Sequence, residues 1–96
     1  MKSIMQKDKF CYYCGTCQSL QLHHIYFGSL RKISDENGFT CWLCMQHHTG
    51  SKQSPHHNRE IDLALKKLCQ KAYERTHSRA EFMKLIGRNY LDEDSN

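Results

Sequence analysis

Apolar and polar residues alternate over two short stretches in the first half of the chain. Leu20 and Leu22 give residues 18–27 the two-residue period of a strand with one buried face. Residues 39–44, with the sequence FTCWLC, form a second run of strand-forming residues. The polar, turn-rich residues 28–38 lie between the two and predict a loop.

A helical period replaces the alternation in the second half. Residues 45–58 begin with a helical pattern that Gly50 and Pro55 interrupt. From Arg59 onwards, apolar side chains recur on one face of a long helix, for which Asn58 is the predicted N-cap. The residues of that face are Ile61, Leu65, Leu68, Cys69, Ala72 and Tyr73.

A second helix has its own capping signals. Ser78 with Glu81 three residues later is the signature of a capping box. Phe82 and Ile86 supply apolar positions, and Gly87 predicts the end of the helix. The whole pattern therefore indicates a small α+β protein whose last two elements are helices.

The chain is too short to bury a large hydrophobic core. It has 96 residues, of which 39% are hydrophobic, yet it contains six cysteines and seven histidines. Small domains with so little apolar content commonly need a metal or disulfides for stability. We expect one domain over residues 10–91, a flexible N-terminus at 1–9 and an acidic tail at 92–96.

Charge and hydropathy exclude a membrane protein and allow a nucleic acid as partner. The formal net charge is +4, a mildly basic balance that fits nucleic acid without requiring it. No apolar run approaches the ~18 residues of a membrane span, and the N-terminus lacks the apolar segment of a signal peptide. We therefore expect a protein of the reducing cytoplasm, where cysteine pairs bind metals more often than they form disulfides.

The cysteine spacing predicts a structural zinc site. Cys11 and Cys14 form a Cys-x-x-Cys pair, and a second pair must complete the tetrahedron. Both Cys41 with Cys44 and Cys44 with His47 have suitable spacing. We favour Cys44 with His47, because strand alternation directs Cys41 towards the core. The predicted zinc ligands are therefore Cys11, Cys14, Cys44 and His47.

The remaining histidines predict a second site, with catalytic rather than structural chemistry. His23 and His24 are neighbours in the first strand, so they point to opposite faces and cannot both face solvent. His48 begins the following helical stretch, and His56 and His57 lie further along the chain. Imidazoles that converge across a hairpin suit a divalent metal together with a general base.

The order of these motifs resembles the HNH endonuclease superfamily. The matching segments are the cysteine pair at 11–14, HHI at 23–25, LCMQHH at 43–48 and GRNYL at 87–91. The chain is similar to small HNH proteins encoded by bacteriophages and prophages. The resemblance implies a small α+β fold with a zinc treble clef, a ββα-metal core and two additional C-terminal helices.

The resemblance also implies roles for individual histidines. By position, His24 matches the general base that takes a proton from the attacking water. His23 and His48 match ligands of a catalytic divalent metal, either Mg²⁺, Mn²⁺ or Zn²⁺, which stabilises the leaving 3′ oxygen. His56 is expected to add a ligand to this metal or to orient His24.

The middle asparagine of the family signature has no assigned counterpart. Its usual place falls at about Phe39, whereas Asn37 lies two residues earlier and Asn58 is the other candidate. The sequence leaves this role open.

The implied activity is metal-dependent hydrolysis of phosphodiester bonds in DNA, as an endonuclease or a nickase. It implies phage recombination, replication or packaging in the cytoplasm of a bacterial host, on DNA that is duplex, branched or single-stranded. Arg31, Lys32 and Lys52 lie in predicted loops that flank the site and are the candidate DNA contacts. The alternatives are a zinc-stabilised nucleic-acid-binding module without catalysis and a zinc domain that binds protein through its long helix. Neither alternative explains the histidine groups.

Overall fold

The computed structural model describes residues 2–52 and 54–91, and the predicted acidic tail at 92–96 lies outside them. Over these residues the elements are strand β1 (Leu20–His24), helix α1 (Arg31–Asn37), strand β2 (Thr40–Cys44), helix α2 (Arg59–Tyr73) and helix α3 (Arg79–Ile86). A 3-10 turn (Gly28–Leu30) precedes α1, and a π-helical turn (Gln46–Gly50) follows β2. The predicted α+β class is confirmed. Within the described ranges, no helix combines the length and apolar character that a membrane span needs.

Strands β1 and β2 form an antiparallel hairpin whose register decides what faces the core. Leu22 lies opposite Trp42, and His23 lies opposite Cys41. Cys41 is fully buried, and His23 is only 1% exposed. Since successive side chains of a strand alternate between faces, the neighbouring His24 is directed to the other side of the sheet.

Helix α1 corrects the loop predicted over residues 28–38. The segment has a weak apolar pattern, and tertiary contacts of the fully buried Ser34 hold it in place. The Ser34 hydroxyl donates to the carbonyl oxygen of Tyr26 (2.5 Å) and accepts from the Tyr26 N–H (3.1 Å). Arg31 and Lys32 therefore lie in the first turn of a helix rather than in a loop.

Both C-terminal helices begin where the sequence predicts. The side chain of Asn58 accepts hydrogen bonds from two backbone N–H groups of α2. Ser78 and Glu81 form the predicted capping box of α3, and Gly87 ends that helix with left-handed backbone. An aromatic cluster joins these helices to the first half of the chain, with neighbouring ring centroids 5.4 to 6.1 Å apart: Tyr26, Phe39, Tyr73, Phe82 and Tyr90.

The stretch after β2 starts helical and breaks, as predicted, but its helical part is a single π turn. This turn has five residues and no side-chain cap at its N-terminus. It carries His47 and His48 side by side, before the chain turns towards Asn58 and α2. The site therefore depends on a short element that other contacts must hold in place.

The N-terminal segment lies along the edge of β2 that β1 leaves open. The backbone N–H of Trp42 donates to the side-chain oxygen of Gln6 (2.6 Å), and the carbonyl oxygen of Trp42 accepts from Tyr12 (2.8 Å). The N–H of Ile4 donates to the carbonyl oxygen of Gly38 (2.9 Å). The flexibility predicted for residues 1–9 stays a prediction, but the described residues of this segment cover an exposed strand edge.

Replacing Gly38 tests whether the N-terminal segment is seated against the domain. Gly38 and Gly87 both have positive φ angles, 72° and 83°, so alanine at either position should lower the free energy of unfolding by about 1 kcal/mol. At Gly38 a Cβ would also overlap the carbonyl oxygen of Lys2, whereas at Gly87 it meets open space. We therefore expect Gly38→Ala to lose more stability than Gly87→Ala in urea titrations at fixed zinc concentration.

Limited trypsin digestion supplies a second measurement for the same pair of variants. Gly38→Ala should be cut faster within residues 2–9 than Gly87→Ala, because only the first substitution displaces that segment. Equal stability losses and equal cleavage rates in the two variants would contradict the observed seating of the N-terminal segment.

Candidate functional site

Sulfur and nitrogen ligands converge where β2 meets the π turn. Cys11, Cys14, Cys44 and His47 each offer a ligand atom, and these atoms lie within 4.8 Å of one another. Cys14 Sγ is 3.8 Å from Cys44 Sγ, and His47 Nδ1 is 3.2 Å from Cys44 Sγ. Ligands of a tetrahedral zinc ion with bonds of about 2.0–2.3 Å lie about 3.3–3.8 Å apart. This thiolate cluster can therefore hold a metal ion, is compatible with structural zinc, and has the predicted members.

The turn between Cys11 and Cys14 prepares its first thiol for metal binding. The N–H of Gly15 donates to the carbonyl oxygen of Cys11 (2.9 Å) and closes the turn. Burial by itself raises the pKa of the Cys11 thiol, but hydrogen bonds from the backbone of Cys14, Cys44 and Tyr13 lower this pKa to about 6. Because zinc binds the thiolate, this backbone arrangement favours the form that acts as a ligand.

Cys41, the alternative ligand, lies outside the thiolate cluster. It is fully buried on the core side of β2, where burial raises the pKa of its thiol to about 12. Cys69 is likewise buried on α2, and burial raises its pKa strongly. These two residues are therefore neutral core thiols, in agreement with the alternation that pointed to Cys44.

Three other histidines meet on the inner side of the hairpin. His23, His48 and His56 offer ring nitrogens within 4.8 Å of one another, and this histidine cluster can also hold a metal ion. The Nε2 atoms of His48 and His56 are 3.2 Å apart. Two imidazoles on one tetrahedral zinc ion place their nitrogens about 3.3–3.4 Å apart. The structure thus brings together the three residues that the sequence assigns to a catalytic metal.

Two rings of the histidine cluster, those of His23 and His48, favour the neutral form that binds metal. Burial, reinforced by His48 and His56, lowers the pKa of His23 to about 3, so this ring is neutral at pH 7. Burial and the neighbouring His56 also lower the pKa of His48. Nδ1 of His48 donates to the side-chain oxygen of Gln21 (2.6 Å), which leaves Nε2 with its lone pair free for a metal.

His23 supplies a direct indication that this cluster suits a cation. Its Nε2 atom is buried and has no hydrogen-bond partner among the described residues. A buried polar atom without a partner destabilises a fold by about 1–3 kcal/mol. A metal ion among the three rings would satisfy this nitrogen, so the donor set fits the group that the sequence predicts.

His24 lies beside the histidine cluster without belonging to it. Its side chain is 14% exposed, and its Nε2 is 3.3 Å from Oδ1 of Asp35. A cleft of about 460 Å³ is lined by His24, by Arg31 and by the three clustered histidines. Asp35 was not identified from the sequence, because residues 28–38 were predicted to form a loop. Only a helix places Arg31 and Asp35, four residues apart, on one face.

The other predicted residues have distinct places. Lys32 lines a cleft of about 480 Å³ together with His24 and Arg31. Lys52 lines a different cleft with His57, whose Nε2 donates to the carbonyl oxygen of Thr49 (2.9 Å). The structure therefore brings Arg31 and Lys32 to His24 and places Lys52 elsewhere.

Both candidates for the middle asparagine have structural partners. The side chain of Asn37 donates to the carbonyl oxygen of Ile33 within α1 (2.8 Å). Asn58 caps α2. Among the described residues, it is the carboxylate of Asp35 that lies beside His24.

Replacement of Cys44 should abolish the thiolate metal site. We expect Cys44→Ser to lose the thiolate-to-metal charge-transfer absorption of the Co²⁺-substituted protein and most of its folded structure, since structural zinc contributes on the order of 10 kcal/mol to folding. This absorption reports thiolate ligands only, so metal in the histidine cluster does not contribute to it. Cys17→Ser is the matched control, because Cys17 is exposed and outside the cluster. An absorption that survives Cys44→Ser and disappears in Cys41→Ala would show that the ligand assignment is wrong.

No protein-family model matches the chain, and comparisons with curated proteins and with solved structures also give no match. The resemblance to the HNH superfamily therefore rests on the motifs quoted above. The geometry of the two clusters is independent of that resemblance.

Proposed function

We propose that the protein is a metal-dependent DNA endonuclease or nickase of the HNH type. The observation that carries this proposal is the meeting of the histidine cluster, His24 and Arg31 at one cleft. A zinc-stabilised module that only binds nucleic acid would need the thiolate cluster, but it would have no use for the histidine cluster. Three imidazoles that can hold a metal ion, beside a further histidine, suit hydrolysis rather than binding alone.

We also propose that the fold contains the ββα-metal motif of the HNH superfamily. In this assignment β1, β2 and the π turn correspond to the ββα-metal unit, and the thiolate cluster corresponds to the zinc site of a treble clef. The π turn is shorter than the helix of that motif, yet it carries His47 and His48 in the order that the assignment requires.

His24 is the proposed general base, and Asp35 is its positioning residue. With the Asp35 carboxylate accepting a hydrogen bond from Nε2, Nδ1 of His24 keeps a lone pair. This nitrogen takes a proton from a water molecule whose oxygen attacks the phosphorus. The bond between phosphorus and the 3′ oxygen breaks, solvent protonates that oxygen, and the products carry a 5′-phosphate and a 3′-hydroxyl.

The histidine cluster would hold a divalent cation that stabilises negative charge on the phosphate and the 3′ oxygen. Imidazole nitrogen suits zinc and related transition metals, whereas Mg²⁺ prefers oxygen ligands. Among Mg²⁺, Mn²⁺ and Zn²⁺, the donor set favours Zn²⁺. Gln21 supports this role because its hydrogen bond keeps His48 in the tautomer that binds metal.

Arg31 and Lys32 are the proposed phosphate contacts. Both side chains are exposed in the first turn of α1, and both line a cleft that includes His24. Lys52 lines another cleft and has no part in this proposal.

Replacement of His24 tests the chemistry directly. His24→Ala should reduce cleavage of supercoiled plasmid by about 10²–10⁴-fold, the usual loss when a general base is removed, while DNA binding persists. Agarose gels that separate nicked from linear product measure the rate and distinguish a nickase from an endonuclease. His77→Ala is the matched control, since His77 stacks on Tyr73 outside the cleft and its loss should leave cleavage unchanged. An active His24→Ala protein would remove this mechanism, and an inactive wild type on every DNA form would favour the binding-module alternative.

Replacement of His56 tests the metal. His56 is exposed, so His56→Ala should keep the fold but require a higher concentration of Zn²⁺, Co²⁺ or Mn²⁺ for half-maximal cleavage. The loss should be restored in part by excess metal, whereas the loss in His24→Ala should not be. Metal titrations of both variants against wild type provide the measurement. Higher activity with Mg²⁺ than with the imidazole-binding metals would contradict the assigned donor set.

A further inference from the structure

A second cleft opens on the outer side of the hairpin, next to the one that contains His24. It has a volume of about 700 Å³ and lies between the N-terminal segment and strand β2. Leu22 lines both clefts, and Thr40, which lines the second, pairs with His24 across the strands. The two clefts are therefore adjacent, and the second one ends beside the strand pair that carries His24. We name the second one the N-terminal cleft.

The N-terminal cleft is positively charged. The described residues that line it include three lysines, Lys2, Lys7 and Lys9, and one carboxylate, that of Asp8. All three lysines are exposed. Together with Arg31 beyond His24, they place positive charge on both sides of the proposed catalytic residue, which is the pattern that suits an extended polyanion.

Trp42 gives this cleft a flat apolar surface. It is the single tryptophan of the chain, it is half-buried, and it lies opposite Leu22 on the outer side of the sheet. The ammonium group of Lys9 is 4.4 Å from the centroid of its ring. The hydrogen bond from Trp42 to Gln6 fixes the lysine-bearing segment beside the ring. Aromatic rings flanked by cations are the usual platform on which unpaired bases stack.

We propose that the N-terminal cleft binds an unpaired stretch of the nucleic-acid strand that leads to His24. A base stacks on Trp42 in place of the Lys9 ammonium, and phosphates contact Lys7 and the displaced Lys9. An unpaired base is required, because a base inside a duplex does not offer its face to a side chain. The statement that this strand is the one cleaved rests on the proposed function, whereas binding in the cleft is independent of it.

Fluorescence of Trp42 reports this binding directly, since no other tryptophan contributes. The zinc-loaded His24→Ala protein is titrated with a short oligo(dT). The substitution prevents cleavage of the oligonucleotide during the measurement. We expect saturable quenching with the base-bearing oligonucleotide. An abasic oligonucleotide of the same length carries the phosphates without the bases, so it should bind more weakly and quench little.

Variants in the same background separate charge from stacking. With a dye-labelled oligonucleotide, Trp42→Ala should weaken binding by about fivefold or more. Lys7→Ala with Lys9→Ala should lower the slope of log affinity against log salt by about 0.7 for each phosphate that the protein no longer neutralises. Lys71→Ala with Lys84→Ala is the matched control, because these lysines are exposed near the ends of α2 and α3. The control pair should leave both the affinity and the slope close to those of the parent.

Several outcomes would overturn the proposal. Unchanged Trp42 fluorescence at saturation, or equal effects of the two lysine pairs, would show that the strand binds elsewhere. Equal quenching by a poly-glutamate peptide would show that an acidic protein segment, not a base-bearing strand, fits the cleft. Plasmid cleavage without quenching would overturn only this inference, and quenching without cleavage by wild type would overturn only the proposed function.

Discussion

The antiparallel register of β1 and β2 is the constraint on which the rest of the site depends. Because side chains alternate along a strand, this register sends His23 inward to the histidine cluster and His24 to the other side. A slip of one residue would exchange the two faces, burying His24 and exposing His23. The same register places Leu22 and Trp42 together on the outer side. The buried position of His23, the outward direction of His24 and the outer surface formed by Leu22 and Trp42 thus all follow from a single pairing.

Features governed by local chemistry could be predicted from the sequence. The caps at Asn58 and Ser78 satisfy N–H groups only two or three residues away, so their signal lies within a few letters of the chain. The alternation of side chains along β2 is also a local pattern, and it distinguished the buried Cys41 from the candidate metal ligand Cys44. Cysteine spacing left two possible pairs for the thiolate cluster and alternation chose between them, whereas the metal-binding roles of His23 and His48 came from the resemblance to the HNH superfamily.

Features that depend on distant partners could not be predicted in this way. Helix α1 is held by Ser34 through the backbone of Tyr26, a contact across the hairpin connection that apolar periodicity does not record. Asp35 reaches His24 only because that helix forms. The N-terminal segment meets β2 through Gln6 and the backbone of Trp42, which are 36 positions apart. In each case the deciding contact is a hydrogen bond between groups at least eight positions apart, beyond the reach of a local sequence pattern.

His47 and His48 are consecutive residues on one short turn, yet they belong to different clusters. A single peptide bond therefore links the thiolate cluster to the histidine cluster. The contact between His47 and Cys44 (3.2 Å) helps to hold the uncapped turn, and the same turn carries His48 towards His23 and His56. Occupancy of either cluster should therefore affect the position of the ligands in the other, so the affinities of the two clusters for metal are coupled in both directions.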